Sequence, residues 1–274
     1  MPLQLFGIVL GLLTPTWLTD YEAAVHRAIE SKKDLLIYVF DEKKRLEAAV
    51  NHPYVLVRTR RYVCLKIPVD YKLGTSELLQ HEAFQEMGGK PGLLIVSLKD
   101  EASPHFQHVV SVLPDVPSRY AWVPRIGPEE ICILLDLPDG SLTQRSMIYA
   151  LAVHPERPQS IMGQLHPVFV EHAFNHSQKQ AREQMQHHAD LLTASRMFQE
   201  KVGIAPGSAS EVVAESWGHW VGGENVLEAA FSCVDAWRQS PGHWSAVSRY
   251  HRYFGYDLAR GRNGVWYATG IFAD

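Results

Sequence analysis

The residues of this chain best suited to chemistry lie far apart in its second half: the pair His187-His188, then Glu211, then His243. Two neutral imidazoles and one carboxylate make a ligand set for zinc that leaves a position open for water. A metal-bound water with a glutamate as base would be hydrolytic machinery. No motif forces that outcome. His-Glu-x-x-His, which would put ligands and base on one helix, is absent. Gly-x-Ser-x-Gly is absent too, so Ser240 and His243 are neighbours through a turn and not members of a nucleophilic triad. Three readings follow: a binding cleft with an optional divalent metal, a polar cluster buried for stability, and a metal-assisted hydrolase of peptidase type.

The elements that would position these residues can be read from periodicity. Leu165 to Gln199 reads as helix, either continuous or with one break, with Ala173, Phe174, Ser177, Ala181, Met185 and His188 on one stripe. His176 and His187 are eleven residues apart on it, three turns, and so share a face. Glu211 to Trp217 alternates as a strand, with Glu211, Val213 and Glu215 on one side. Gly222-Gly-Glu-Asn225 reads as a turn, with Glu224 or Asn225 capping a helix from Val226 to Trp237. A tight Pro241-Gly242 turn presents His243. Strands Tyr253–Arg260 and Val265–Phe272 then close a hairpin through Gly261-Arg-Asn-Gly264. Helices outside a small antiparallel sheet make an α+β sandwich.

The first half reads as α/β. Asp20 caps an amphipathic helix, Tyr21–Glu30. Leu35–Phe40, Tyr62–Val69 and Pro91–Leu98 are apolar runs suited to strands covered on both faces. Helices are expected at Asp41–Val50 and Ser76–Met87. Ile131–Asp136 reads as a short strand inside a Pro/Gly-rich junction, 120–140, and His154 as a surface loop residue. The organisation is thus a leader at 1–16, an α/β domain at 17–119, the junction, and an α+β domain at 141–274.

Two resemblances extend this reading. The βαβ order with a helix in front, carried by Lys33-Asp-Leu-Leu-Ile-Tyr-Val-Phe40, Cys64-Leu-Lys-Ile-Pro-Val-Asp70 and Lys90-Pro91, resembles the thioredoxin fold. That resemblance implies a cis-proline at Pro91. Asp41-Glu-Lys-Lys44 stands where a redox member has its cysteine pair, which implies a redox-inactive platform. In the second half, Trp237-Arg-Gln-Ser-Pro-Gly-His243, Phe254-Gly-Tyr and Trp266-Tyr-Ala-Thr-Gly-Ile-Phe272 resemble the CAP superfamily: cysteine-rich secretory proteins, antigen 5 and pathogenesis-related 1, in its bacterial SCP-like form. This implies an α-β-α sandwich whose cleft holds two histidines and two acids, in some members with zinc. His243 matches the second histidine, and His187 or His188 the first, with His188 better placed. Glu211 matches the family glutamate on structural context, and Glu224 does so only in a literal Gly-Glu-Asn. The second acid falls on Ser240.

Bulk properties limit the partners. A net charge of -4 over 274 residues offers no basic face for nucleic acid. The three cysteines, Cys64, Cys132 and Cys233, are widely spaced in apolar surroundings and read as buried thiols, neither a disulfide framework nor a zinc set. Leu5–Leu13 is too short to span a bilayer and has the length of a signal-peptide core, so export is expected; a buried N-terminal segment is the alternative. The expected protein is non-redox, extracytoplasmic or secreted, with a cytoplasmic location as the alternative, and not integral to a membrane. It binds a small molecule, lipid or protein through the His/Glu cleft.

Overall fold

The computed structural model describes residues 15–189, 191–205, 207–216 and 224–274. Residues 1–14 of the expected leader 1–16, Trp217 and Gly222-Gly223 lie outside them. Two compact units emerge. One holds the chain up to Pro117 together with Pro124–Leu142; the other holds Ser118–Val123 together with Thr143–Asp274. The expected 120–140 junction is therefore divided between the units.

In the first unit, β1 (Trp17–Leu18) leads to α1 (Tyr21–Glu30), which buries Ala24 and Ala28. Asp20 caps it as expected, its Oδ1 accepting the Ala23 N–H at 2.8 Å. β2 (Asp34–Phe40) follows, with Leu35 to Val39 buried without a break because both sheet faces are covered. The helix expected from Asp41 shrinks to α2 (Glu47–Val50). Asp41 Oδ1 takes the N–H groups of Lys43 and Lys44 at 3.0 Å each, and Lys44 turns to φ 45, so the local turn wins over helix. α3 (Pro53–Thr59) and β3 (Tyr62–Pro68) come next.

The helix expected over Ser76–Met87 is replaced by a two-strand hairpin and two 3₁₀ turns. The strands are β4 (Lys72–Leu73) and β5 (Ser76–Glu77), and the turns are Leu78–Gln80 and Glu82–Met87. His81 breaks the run in an extended conformation and caps the second turn through its Nδ1. β6 (Gly92–Val96) and β7 (Val109–Pro114) complete the sheet, ordered β1-β3-β2-β6-β7. Pairs among β1, β2 and β3 are parallel; β6 runs antiparallel to β2 and to β7. No cis peptide occurs among the described residues, so the bond before Pro91 is trans, against expectation. Ile131–Asp136 is not a strand but the body of α4 (Pro128–Asp136). Pro128 opens it, Glu130 reaches back to the Gly127 N–H, and Ile131, Leu134 and Leu135 form its buried stripe.

The second unit begins with α5 (Leu142–Ala152) and β8 (Gln164–Leu165), then α6 (Pro167–Glu183) and α7 (Leu191–Val202). β9 (Ala209–Glu215), α8 (Val226–Gln239), α9 (Pro241–Ser248), β10 (Tyr253–Arg260) and β11 (Trp266–Ala273) follow. The sheet order is β8-β10-β11-β9; it is antiparallel except for the short parallel pair β8–β10. Alternate residues face opposite layers. Ser177 and Gln180 of α6 bond to the Asp257 carbonyl and Thr269 on one side. Trp237 of α8 packs on Tyr256 on the other, ring centroids 5.9 Å apart. Asp257 is buried between Thr143, Gln144 and its neighbour's N–H; burial pushes its carboxyl up to about 6, and these hydrogen bonds hold it from rising further.

α6 can lie this close to the sheet because residue 255 has no side chain. A Cβ on Gly255 would stand 2.4 Å from the Phe169 carbonyl carbon and 2.5 Å from the Val170 nitrogen, both backbone. Gly255→Ala should therefore cost about 3 kcal/mol in urea unfolding. Gly242→Ala, where nothing lies within 4 Å, is the control and should leave the transition near its wild-type midpoint.

Candidate functional site

The site is built around Glu211. β9 pairs with β11 so that Glu211 stands opposite Ile271, on the face covered by α6. Its side chain is fully buried. One oxygen, Oε1, accepts the Ala189 N–H at 2.9 Å and His188 Nδ1 at 3.1 Å. The other, Oε2, has no hydrogen-bond partner among the described residues. It faces His172 Nε2 at 3.7 Å and His176 Nε2 at 4.0 Å. Those two histidines are one helical turn apart on α6, their rings nearly parallel.

The donors on Oε1 come from the segment after α6. That helix ends because Gln184 adopts φ 53 and its N–H returns to the Gln180 carbonyl. The released chain is tied back at two points. His176 Nε2–H donates to the His187 carbonyl at 2.8 Å, and the His187 N–H donates to Gln180 Oε1 at 3.2 Å. His187 and His188 thus do not continue the helical face of His176, as periodicity suggested. His187 turns its ring to Glu183, Nε2 to Oε2 2.6 Å, while His188 turns to Glu211.

His243 arrives from the other direction. Pro241-Gly242 is not a free tight turn but the first turn of α9, with Ser240 as its N-cap residue and the Trp244 N–H returning to the Ser240 carbonyl at 2.8 Å. The His243 and His188 rings lie 5.8 Å apart, centroid to centroid. Among the described residues no hydrogen bond joins Ser240 to His188, His243 or Glu211. Glu224 is no cap: Asn225 Oδ1 takes the Glu228 N–H, while buried Glu224 pairs with Arg119. His154 is buried and not a surface residue, its ring held between Trp122 and Trp244 at 4.7 and 4.8 Å.

Charge states follow from the surroundings. Burial raises the Glu211 carboxyl, but His172, the Ala189 N–H, His176 and His188 together bring it below the ordinary value. At 3.7 Å, the His172 contact is longer than a hydrogen bond. Burial, and then the His188 charge, lower His243. Burial likewise lowers His176, against the pull of the His187 carbonyl and Glu211. At neutral pH the site is an ionised carboxylate beneath a neutral His243. With its Nδ1 turned to Glu211, it is the His188 Nε2 that, in the neutral form of the ring, has the lone pair a ligand or metal would use.

The arrangement can do some things and not others. Glu211 Oε1 is occupied in orienting His188, so it acts as an outer partner to any ion and not as an exposed base. Two imidazoles on a tetrahedral zinc, at about 2.1 Å per Zn–N bond, place their ring centroids about 5.3 Å apart. The 5.8 Å between His188 and His243 is about half an ångström wider, so the two rings would have to draw together to share an ion. Among the described residues no group of three His, Cys, Asp or Glu is placed to hold a metal ion. His172 was not foreseen as part of the site; the signal in the sequence was the four-residue spacing of His172 and His176 on a helix facing the Glu211 strand.

No family model matches the chain, and no curated protein matches it in sequence.

A buried carboxylate held below its ordinary pKa contributes stability above the unfolded-state value and loses it as pH falls through the folded-state value. Glu211→Gln should cost about 2 kcal/mol at pH 7, by loss of charge-assisted hydrogen bonds. The gap between wild type and variant should hold above the ordinary value of 4.5 and close as pH drops below it. Chemical unfolding at several pH values checks this; a gap independent of pH would refute the assignment.

Proposed function

We propose that the second unit is a non-enzymatic, extracytoplasmic binding module of CAP-like kind, whose cleft recognises its ligand through His188 and His243. The observation that carries this is that His188 meets Glu211 on one side and the His243 ring on the other, the three residues coming from separate segments. The helix-sheet-helix layering of that unit supports the CAP-like reading. A divalent ion such as zinc fits as an optional component held by the two imidazoles, with its remaining positions left to water or ligand. The hydrolase reading is weaker because Glu211, the base it requires, is buried and already hydrogen-bonded.

The first unit is proposed as a thioredoxin-like platform for packing or partner contact, without redox chemistry. Its parallel β2–β3 pair, with α1 in front, supports that fold reading. The turn after β2 carries Asp41-Glu-Lys-Lys44 and no thiol. Burial raises the Cys64 thiol to about 12, so it forms no thiolate at neutral pH. A nucleic-acid partner is not part of the proposal, given the net charge of -4. No described helix is long and apolar enough to cross a membrane.

Elemental analysis after zinc equilibration and desalting tests the cleft. Wild type should retain about one equivalent, and His188→Ala and His243→Ala should lose it. No retained metal in wild type would remove zinc from the proposal. Peptide or ester turnover abolished by His243→Ala would replace it with the hydrolase. The protein should also fail to reduce insulin disulfides with dithiothreitol as electron donor; reduction above the uncatalysed rate would overturn the redox-inactive assignment.

A further inference from the structure

The first unit contains a cavity of about 330 Å³ between the start of β1, the edge of β3 and the C-terminal ends of α1 and α3. Among the described residues its lining includes Arg27, Lys33 and Arg60 and not one carboxylate. Among the described residues Arg27 forms no ion pair, and Lys33 spends one proton on the Arg60 carbonyl at 2.8 Å. Buried Val63 and Cys64 supply an apolar floor.

A simpler explanation is that these cations only compensate the two helix C-termini. Their magnitudes argue against it. Each helix end carries about half a negative charge. Even without Arg60, Arg27 and Lys33 exceed that sum by about one positive charge. The excess sits at the rim of a concave wall with a buried floor, a shape that concentrates the field on an anion. The volume lies near the lower end of the small-molecule range of about 300–1,000 Å³, and a bare phosphate would fill only part of it.

We propose that this cavity binds a phosphate monoester of a compact organic group, its phosphate held by Arg27 and Lys33 and its organic part resting on Val63 and Cys64. A guanidinium and an ammonium are the two side chains best matched to phosphate oxygens. The Cys64 thiol takes no chemical part; it is floor. The site is separate from the His188–His243 cleft and does not depend on the function proposed for it.

The test is calorimetric titration of the full chain with phenyl phosphate and, separately, inorganic phosphate, at low ionic strength. Saturable one-to-one binding of phenyl phosphate is expected, with inorganic phosphate weaker. Arg27→Gln should weaken binding about tenfold, the loss of one charge-assisted contact. Lys33→Gln combined with it should abolish binding. Arg27 is exposed, so its variant should keep the wild-type unfolding midpoint and separate binding from folding. No saturable heat from phenyl phosphate, or unchanged affinity in Arg27→Gln, overturns the proposal. Equal affinity for both ligands overturns the ester assignment and leaves a bare-anion site.

Discussion

A carboxylate taken out of water must be met by donors or opposite charge, or it costs several kcal/mol. Glu211 imposes that demand on the second unit. Its Oε1 draws the Ala189 N–H and the His188 ring inward, and its Oε2 lies between two histidines of α6. The polar residues of α6 are therefore not decoration on a hydrophobic stripe. Ser177 and Gln180 fasten the helix to the sheet, and His176 and Gln180 hold the chain that leaves it. The same side chain, Gln180, gives its amide to Thr269 and takes the His187 N–H, so the sheet and the segment bearing His188 are joined through one residue.

His243 is fixed by a different set of contacts. Its neighbour Trp244 donates its indole N–H to Glu156 at 2.9 Å and lies on the buried His154 ring. Glu156 also takes Arg238 from the last turn of α8. His154 in turn packs on Trp122, whose indole N–H reaches Asp235. The start of α9 is thus held by an aromatic and ionic patch. Two independent anchorages, one polar and buried, the other aromatic, meet at the pair His188–His243.

The first unit handles its charges at the rim and keeps its sheet apolar. Lys66 pairs with both oxygens of Glu47 while lying over Tyr38 and Phe40. Arg58 and Arg61 bind Asp136 at the end of α4. Asp34, at the start of β2, takes the N–H groups of Leu98 and Lys99 and so closes the turn beyond β6. These pairs are partly solvated and contribute little each; burial of Leu35 to Val39 and of β6 carries the stability.

Strong local signals were legible in the sequence. α1 and its Asp20 cap, the strands β2, β3, β10 and β11, and the strand bearing Glu211 all follow from periodicity and capping. Ile131–Asp136 was misread as a strand, since short apolar runs look alike in either state; the helix signals were Gly-Pro-Glu-Glu and the three-and-four apolar spacing. The turn at Asp41 and the break at His81 were not legible, since there a side chain competes with the helix for backbone N–H groups. By itself, the sequence determined which residues could take part in the cleft: a histidine pair, a strand glutamate and a histidine after a tryptophan-ending helix. Only the tertiary structure decided that His188 and not His187 meets Glu211, that His172 and His176 lie on its other oxygen, and that Glu224 belongs elsewhere. The reason is physical. Secondary structure answers to neighbours in the chain, whereas a buried charge is satisfied by whichever donors the packed elements bring within reach, and those lie 22 to 39 residues away on the His172, His176, His188 and Ala189 side.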